Sequence, residues 1–246
     1  MFSFFKKNRA DDPVDLSWLG TDMHSHLVPG IDDGSQDMET TIELAKGFAA
    51  LGYKKIITTP HVLWEMYPNT PAIITEGCGN VREELRRQGV ELEMGAAAEY
   101  YMDDHFGELL KAKEPLLTLR DNLVLVEFSM ITAPFDLKEV LFELQMQNYQ
   151  PVIAHPERYI YLRHNKDLFD ELKGDGCLFQ VNLLSLTGHY GTSIQELAEY
   201  LVKKEYYDYA GTDMHSVRHL EGLKKLGSSH PFQKLKDSGR LQNHLL

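Results

Sequence analysis

Leu137–His155 reads LKEVLFELQMQNYQPVIAH, and the pattern inside it decides the fold. Leu137, Val140, Leu141 and Leu144 fall at i, i+3, i+4 and i+7, the stripe of an amphipathic helix that runs to about Gln147. After a polar break, Pro151-Val152-Ile153-Ala154 is a short apolar run of the kind shown by a strand buried on both faces. It stops at His155. The same unit recurs on either side. Short apolar runs lie at Lys55–Thr59, Glu91–Ala98, Leu123–Phe128, Leu178–Asn182 and Tyr207–Thr212, with a first one near Trp18–Met23. Helical spacing fills Met38–Leu51, Thr75–Gln88, Lys166–Lys173 and Ser193–Lys203. Ser35 is the expected N-cap of the first helix, with Asp37 and Glu39 in its first turn, and Gly52 and Gly89 fall where helices should stop.

Strand–helix alternation at this pitch calls for parallel strands with helical crossovers. About seven units across residues 15–240 point to a (β/α) barrel, imperfectly closed, in a single domain. A doubly wound open sheet is the competing architecture. No GxGxxG or P-loop follows any run, which removes its common nucleotide-binding forms.

The 246 residues, 43% hydrophobic and 25% charged, suit a soluble chain with a core large enough to need no disulfides. A formal charge of −12 argues against a nucleic-acid partner. Cys78 and Cys177 are far apart and form no CxxC pair, which fits a reducing compartment. The opening MFSFFKKNR is too short in its apolar part for a signal peptide or a membrane span. Residues 1–14 read as a flexible N-terminal segment, with weak membrane-surface contact as the minor alternative, and 15–246 as the domain of a cytoplasmic protein without an integral membrane segment.

What ends each run carries the chemistry. The first leads into Asp22-Met23-His24-Ser25-His26, the second into His61, and the next two into Glu99 and Glu127. Val152–Ala154 leads into His155, and Tyr209–Thr212 into Asp213-Met214-His215. In a parallel barrel all strand carboxyl ends share one face, where active sites form. His24 and His26, like Asp213 and His215, are two apart and can point to one side of an extended strand. Glu99, Glu127, Asp213 and the loop residue Asp33 would crowd four negative charges into one cavity. Buried unpaired carboxylates cost several kcal/mol each, and cations resolve that conflict. Nine nitrogen and oxygen ligands are too many for one ion, so two or three divalent ions are expected. The set lacks a thiolate, leaving Mn, Fe and Zn open. His105, His164, His189, His219, His230 and His244 lack such placement and read as ordinary histidines. Trp64 and Tyr67 read as loop packing, with stacking on an aromatic substrate as the alternative.

These residues resemble the PHP (polymerase and histidinol phosphatase) superfamily, a distorted (β/α)7 TIM-like barrel with a trinuclear site. The resemblance extends over nearly the whole chain. Within it, the sequence is similar to the bacterial CpsB/YwqE-type protein-tyrosine phosphatases linked to capsular and exopolysaccharide synthesis. The motifs are Asp22–His26, Pro29–Gly34, Thr59-Pro60-His61, Ala98–Tyr101, Val126–Phe128, Ala154–Arg158 and Thr212–Ser216. The resemblance implies one ion on His24, His26, Glu99 and Asp213, a second on Glu99, Glu127 and His155, and a third on Asp33, His61 and His215. It implies that Arg158 contacts the substrate phosphate, with Asp213 and His215 beside it in catalysis. A second arginine usually follows the last metal histidine. Here Arg218 lies close behind His215, in a Ser216–Leu220 stretch that departs from the pattern, and Ser216 replaces a common asparagine.

The implied activity is metal-dependent hydrolysis of phosphotyrosine, with manganese the favoured metal. The implied partner is the tyrosine-rich tail of a bacterial tyrosine kinase, which would hold the protein peripherally at the inner membrane. Cysteine-based phosphatase chemistry is excluded, because it needs an arginine six residues after the cysteine. Those positions hold Glu84 after Cys78 and Leu183 after Cys177. The rivals are a small-molecule phosphoesterase, such as a histidinol-phosphate phosphatase, and a non-catalytic regulatory module.

Overall fold

The run that ends at His155 forms a strand, Gln150–Ala154, behind a helix, Leu137–Met146. The structure, a computed structural model, describes residues 14–246. MFSFFKKNR and the rest of 1–13 lie outside the described residues, and Val14 is buried in the core. The strands are β1 (Thr21–Asp22), β2 (Lys55–Thr58), β3 (His61–Val62), β4 (Glu93–Ala96), β5 (Glu99–Tyr101), β6 (Leu123–Glu127), β7 (Gln150–Ala154), β8 (Leu178–Asn182) and β9 (Tyr209–Gly211). The helices are α1 (Met38–Ala50), α2 (Pro71–Arg87), α3 (Asp104–Ala112), α4 (Leu137–Met146), α5 (Asp167–Gly174), α6 (Thr192–Lys204), α7 (Val217–Leu223) and α8 (His230–Ser238).

All strand pairs are parallel, in the orders β1-β2-β4 and β3-β5-β6-β7-β8-β9. β2 and β3 are halves of one barrel strand, parted at Thr59-Pro60 where proline has no N–H for the ladder. β4 and β5 part beside them at Ala97-Ala98. Hydrogen bonds bridge the break, from Ala97 N–H to Thr58 O at 2.9 Å and from Glu99 N–H to Pro60 O at 3.1 Å. Among the described residues, nine segments thus make seven barrel positions. The ring closes between β1 and β9 by a single parallel bridge, Ser25 to Met214. Asp213 N–H donates to His24 O at 2.8 Å, and His26 N–H to Met214 O at 2.9 Å. At the opposite end the closure is made by a side chain. Asn243, fully buried, donates to Thr21 O at 3.0 Å and Ala210 O at 2.6 Å and accepts from Ala210 N–H at 2.9 Å.

Alternation along the strands sorts the core. Met23, Ile57, Ala97, Leu125, Val152, Ala154 and Tyr209 pack inside the barrel. Ile56, Val124, Val126, Ile153, Phe179 and Val181 belong to the larger apolar cluster outside it. Each such aliphatic side chain stabilises the fold by about 1.5–3 kcal/mol. In β6 the inward series is Leu123, Leu125, Glu127, so the same alternation that fills the barrel lifts a carboxylate to its mouth.

Helix starts differ from expectation. Asp37, not Ser35, caps α1, accepting from Thr40 N–H at 2.7 Å. Ser35 instead donates to Asp37 O at 3.0 Å and accepts from the Thr41 hydroxyl at 2.8 Å. α2 starts at Pro71 rather than Thr75, because Thr70 caps it and proline suits the first turn. α3, α7 and α8 were not marked by spacing. No helix among the described residues is long and apolar enough to cross a membrane.

Candidate metal centre and substrate cavity

Seven barrel positions deliver their carboxyl ends to one mouth. His24 and His26 follow β1, His61 opens β3, Glu99 opens β5, and Glu127 closes β6. His155 follows β7, Asp213 and His215 follow β9, and Asp33 reaches in from the loop before α1. Two of these need an unusual backbone. His155 (φ 32°) and Asp213 (φ 51°) sit in the left-handed region, at a cost of about 1–3 kcal/mol each. Leaving the extended geometry there turns the side chain after each strand into the mouth.

Glu99 is the hub. Its Oε2 lies 3.1 Å from His24 Nε2, 3.4 Å from His26 Nε2 and 3.2 Å from His61 Nδ1. Its Oε1 lies 3.1 Å from His155 Nε2. Asp213 Oδ1 is 3.3 Å from both His24 Nε2 and His26 Nε2. His61 Nδ1 is 2.9 Å from Glu127 Oε1, and Asp33 Oδ1 is 3.5 Å from the Nε2 atoms of both His61 and His215. Three groups result, each with its ligand atoms within 4.8 Å of one another. His24, His26, Glu99 and Asp213 form one. His61 joins Glu99 and Glu127 in the second, where His155 approaches both carboxylates, at 3.1 and 3.9 Å. Asp33, His61 and His215 form the third, together with His26.

The imidazoles are aimed from behind. Gln180, whose amide donates to Val181 O at 2.6 Å, turns Oε1 to His24 Nδ1 at 2.8 Å. Asp32 Oδ2 lies 2.8 Å from His26 Nδ1, and Asp213 O lies 2.8 Å from His215 Nδ1. With each Nδ1–H donated outward, the Nε2 lone pairs face the cavity, the arrangement that outer partners impose on metal-binding histidines. Glu99 Oε2 and His61 Nδ1 are buried and, among the described residues, find no partner of hydrogen-bond geometry. The charges at the mouth are tightly coupled. Burial would lower the pKa of His24, but Glu99 and Asp213 raise it to about 9. Burial raises Asp213, yet His24 and His215 hold it well below the usual carboxylate range. Convergent lone pairs, an orphaned carboxylate oxygen and an all-N/O donor set fit divalent cations.

Beside the cluster lies a cavity of about 330 Å³, lined among others by Met130, Arg158, Tyr190, Ser216 and His219. Arg158 Nη1 donates to Asp213 Oδ2 at 2.7 Å, the oxygen turned away from the histidines. Arg218 is elsewhere, exposed on the first turn of α7 and outside the cavity lining. His219, expected to be ordinary, lines the cavity, and its Nδ1 accepts from His215 N–H at 3.2 Å. Trp64 stacks on His105 with ring centroids 3.9 Å apart, and Tyr67 on His61 at 5.7 Å. Sequence reasoning passed over Asp32, Gln180, Asn182, Tyr190 and His219. Asn182 ends an apolar run, and Gln180 lies within it.

A parallel barrel with a His/Asp/Glu cluster able to hold metal at its carboxyl mouth defines the class, a metallohydrolase barrel. The family model described as "Capsular polysaccharide synthesis, CpsB/CapC" matches residues 20–222, and the chain belongs to that family. It is 32% identical over 200 residues to the tyrosine-protein phosphatase YwqE of Bacillus subtilis, covering 80% of this chain and 78% of that one. Against the tyrosine-protein phosphatase CpsB of Streptococcus pneumoniae it is 30% identical over 203 residues, covering 80% and 83%. A crystal structure from work on YwqE and CpsB, described as metal-dependent tyrosine phosphatases, superposes with a TM-score of 0.78 at 29% identity over 91% of this chain and 94% of that one. The lactonase Lmo2620 of Listeria monocytogenes shares the fold, with a TM-score of 0.54 at 12% identity, covering 95% and 94%.

Proposed function

We propose that this chain is a metal-dependent protein-tyrosine phosphatase. The observation that carries the reading is Arg158, among the described residues the one lysine or arginine lining the cavity, set one carboxylate away from the metal-ligand cluster. Asp213 joins the two. Its Oδ1 faces His24 and His26, while its Oδ2 holds the guanidinium. A phosphoryl group in the cavity would meet Arg158 on one side and the ligand cluster on the other. Divalent cations held there supply charge neutralisation of phosphoryl oxygens and a nucleophilic water at neutral pH. The chain's residues do the rest. Arg158 binds and orients the phosphoryl group through charge-assisted hydrogen bonds. Gln180 and Asp32 fix the rings of His24 and His26, and His215 is held by Asp213 O.

The nine ligands are His24, His26, Asp33, His61, Glu99, Glu127, His155, Asp213 and His215, for two or three ions with manganese favoured. The substrate we favour is phosphotyrosine in a protein, on the tail of a bacterial tyrosine kinase that controls capsule or exopolysaccharide synthesis, and the site of action is the cytoplasm. The similarity to YwqE and CpsB supports this reading. Glu99→Ala, Glu127→Ala and His155→Ala should each abolish turnover of a phosphotyrosine peptide and lower bound metal. Retained activity in all three overturns the mechanism, and preferential turnover of histidinol phosphate overturns the substrate.

A further inference from the structure

Arg158 is held on two sides, and the second holder has no place in the ligand cluster. Its guanidinium carbon lies 4.9 Å from the centroid of the Tyr190 ring. Tyr190 stands in a turn between the strand-end segment Leu183–Thr187 and α6, flanked by Gly188 (φ 76°) and Gly191 (φ 95°). Those left-handed positions let the turn fold tightly over the mouth, where Tyr190 lines the cavity.

The ring is itself fixed. Asn182 Nδ2 donates to the Tyr190 hydroxyl at 3.2 Å and to Asp213 Oδ2 at 3.0 Å. Asn182 cannot swing, because its Oδ1 accepts from Leu184 N–H at 2.9 Å and its own N–H donates to Glu157 Oε1 at 2.9 Å. Asp213 Oδ2 therefore receives both Asn182 and Arg158, and the Tyr190 ring lies against the guanidinium. An arginine packed against an aromatic ring still has N–H groups able to form hydrogen bonds. Apart from the bond to Asp213, no side-chain acceptor among the described residues holds the Arg158 guanidinium. Its remaining donors are left for a ligand. Among the described residues the cavity is otherwise lined by polar and ionisable groups, and Tyr190 and Met130 are its carbon-rich walls.

From this geometry we propose that Tyr190 is a positioning and specificity-determining residue: its ring fixes the Arg158 guanidinium for the phosphoryl group and forms the wall against which an aryl leaving group packs. The proposal rests on the phosphatase reading, and its test separates the two. Metal-loaded full-length wild type, Tyr190→Leu, Tyr190→Gln and Tyr190→Phe are compared for phosphotyrosine-peptide turnover. In parallel they are titrated with inorganic phosphate, phenylphosphonate and methylphosphonate, with metal content measured in each.

Removing the ring should raise KM and weaken phosphate binding about 5- to 30-fold, the size of one desolvated cation–π contact. Metal content should be unchanged. Tyr190→Phe should return to within about threefold of wild type, having lost one hydrogen bond. The preference of wild type for phenylphosphonate over methylphosphonate should shrink in both ring-free variants. In an Arg158→Ala background, removing the ring should no longer weaken phosphate binding. Wild-type phosphate affinity in the ring-free variants, or an equal loss in the Arg158→Ala background, overturns the positioning role. An unchanged preference for phenylphosphonate overturns the wall. Wild type that fails to turn over phosphotyrosine peptide defeats the phosphatase reading instead, while the phosphate titrations still report on the pair.

Discussion

Gln180 shows what one neutral side chain contributes to a charged site. It is fully buried, its amide N–H is spent on Val181 O, and its Oε1 points His24 at the cluster. Gly211 leaves room for this pair, since a Cβ there would lie 2.6 Å from His24 Cβ and 2.9 Å from Gln180 Nε2. Gln180→Ala should leave the fold intact and weaken metal binding about 10- to 100-fold, the usual loss when an outer partner of a ligating histidine is removed. Metal titration checks this, and wild-type affinity would show that Gln180 only fills space. The imidazoles and carboxylates other than the loop residue Asp33 were legible in the sequence because they follow or end apolar runs. Asn182 ends one too and Gln180 lies within it, but neutral amides raise no charge conflict that would single them out. His219 was hidden differently. It lies one helical turn beyond His215, and only the folded chain shows that turn bending back over the cavity. Nor does spacing reveal that His155 and Asp213 adopt left-handed backbone, since sequence periodicity assumes regular strands.

Elements were legible where burial repeats with a period, and poorly legible where a single contact sets the boundary. The runs before His155 and Glu127 became β7 and β6 nearly as read. Pro60 splits a barrel strand whose second half, His61–Val62, lies beyond the Lys55–Thr59 run, and β1 retains only Thr21–Asp22 of the expected Trp18–Met23. That short first strand leaves the barrel seam poorly paired, and Asn243, far away in sequence, completes it. Its side chain satisfies Thr21 O, Ala210 O and Ala210 N–H together. Asn243→Ala would leave three buried backbone groups without partners. The expected destabilisation is about 3 kcal/mol, the cost of orphaning buried polar groups. Urea unfolding measures it, and a loss below about 1 kcal/mol would mean that water or a backbone shift replaces the amide. Nothing in the local sequence around Asn243 announces this role, because its partners are assembled only by barrel closure.

The molecule as a whole brings residues from 24 to 215 onto one mouth, which makes its stability depend on what balances their charge. Without metal, the balance falls to protons. Burial opposes protonation of His24, but Glu99 and Asp213 raise its pKa from 6.5 to about 9. A raised histidine stabilises the fold fully below its unfolded pKa, and that stabilisation is lost as pH climbs through the folded value. Glu99 is pushed up by burial but held well below the ordinary range by His24 and His61, and Asp213 likewise by His24 and His215. Their contribution is present above the unfolded carboxylate pKa of about 4 and is lost as pH falls below it. The stripped protein should therefore be most stable between about pH 4.5 and 6.5. Bound divalent cations carry a charge that does not titrate, and they favour neutral imidazoles. Chelator-stripped protein should lose Tm steadily between about pH 6.5 and 9, while metal-loaded protein changes less, so that the gap between them widens with pH. Calorimetry of both forms across that range decides the matter. Parallel Tm curves would mean that protons are not standing in for cations, and that the nine side chains at the mouth are balanced by some other charge.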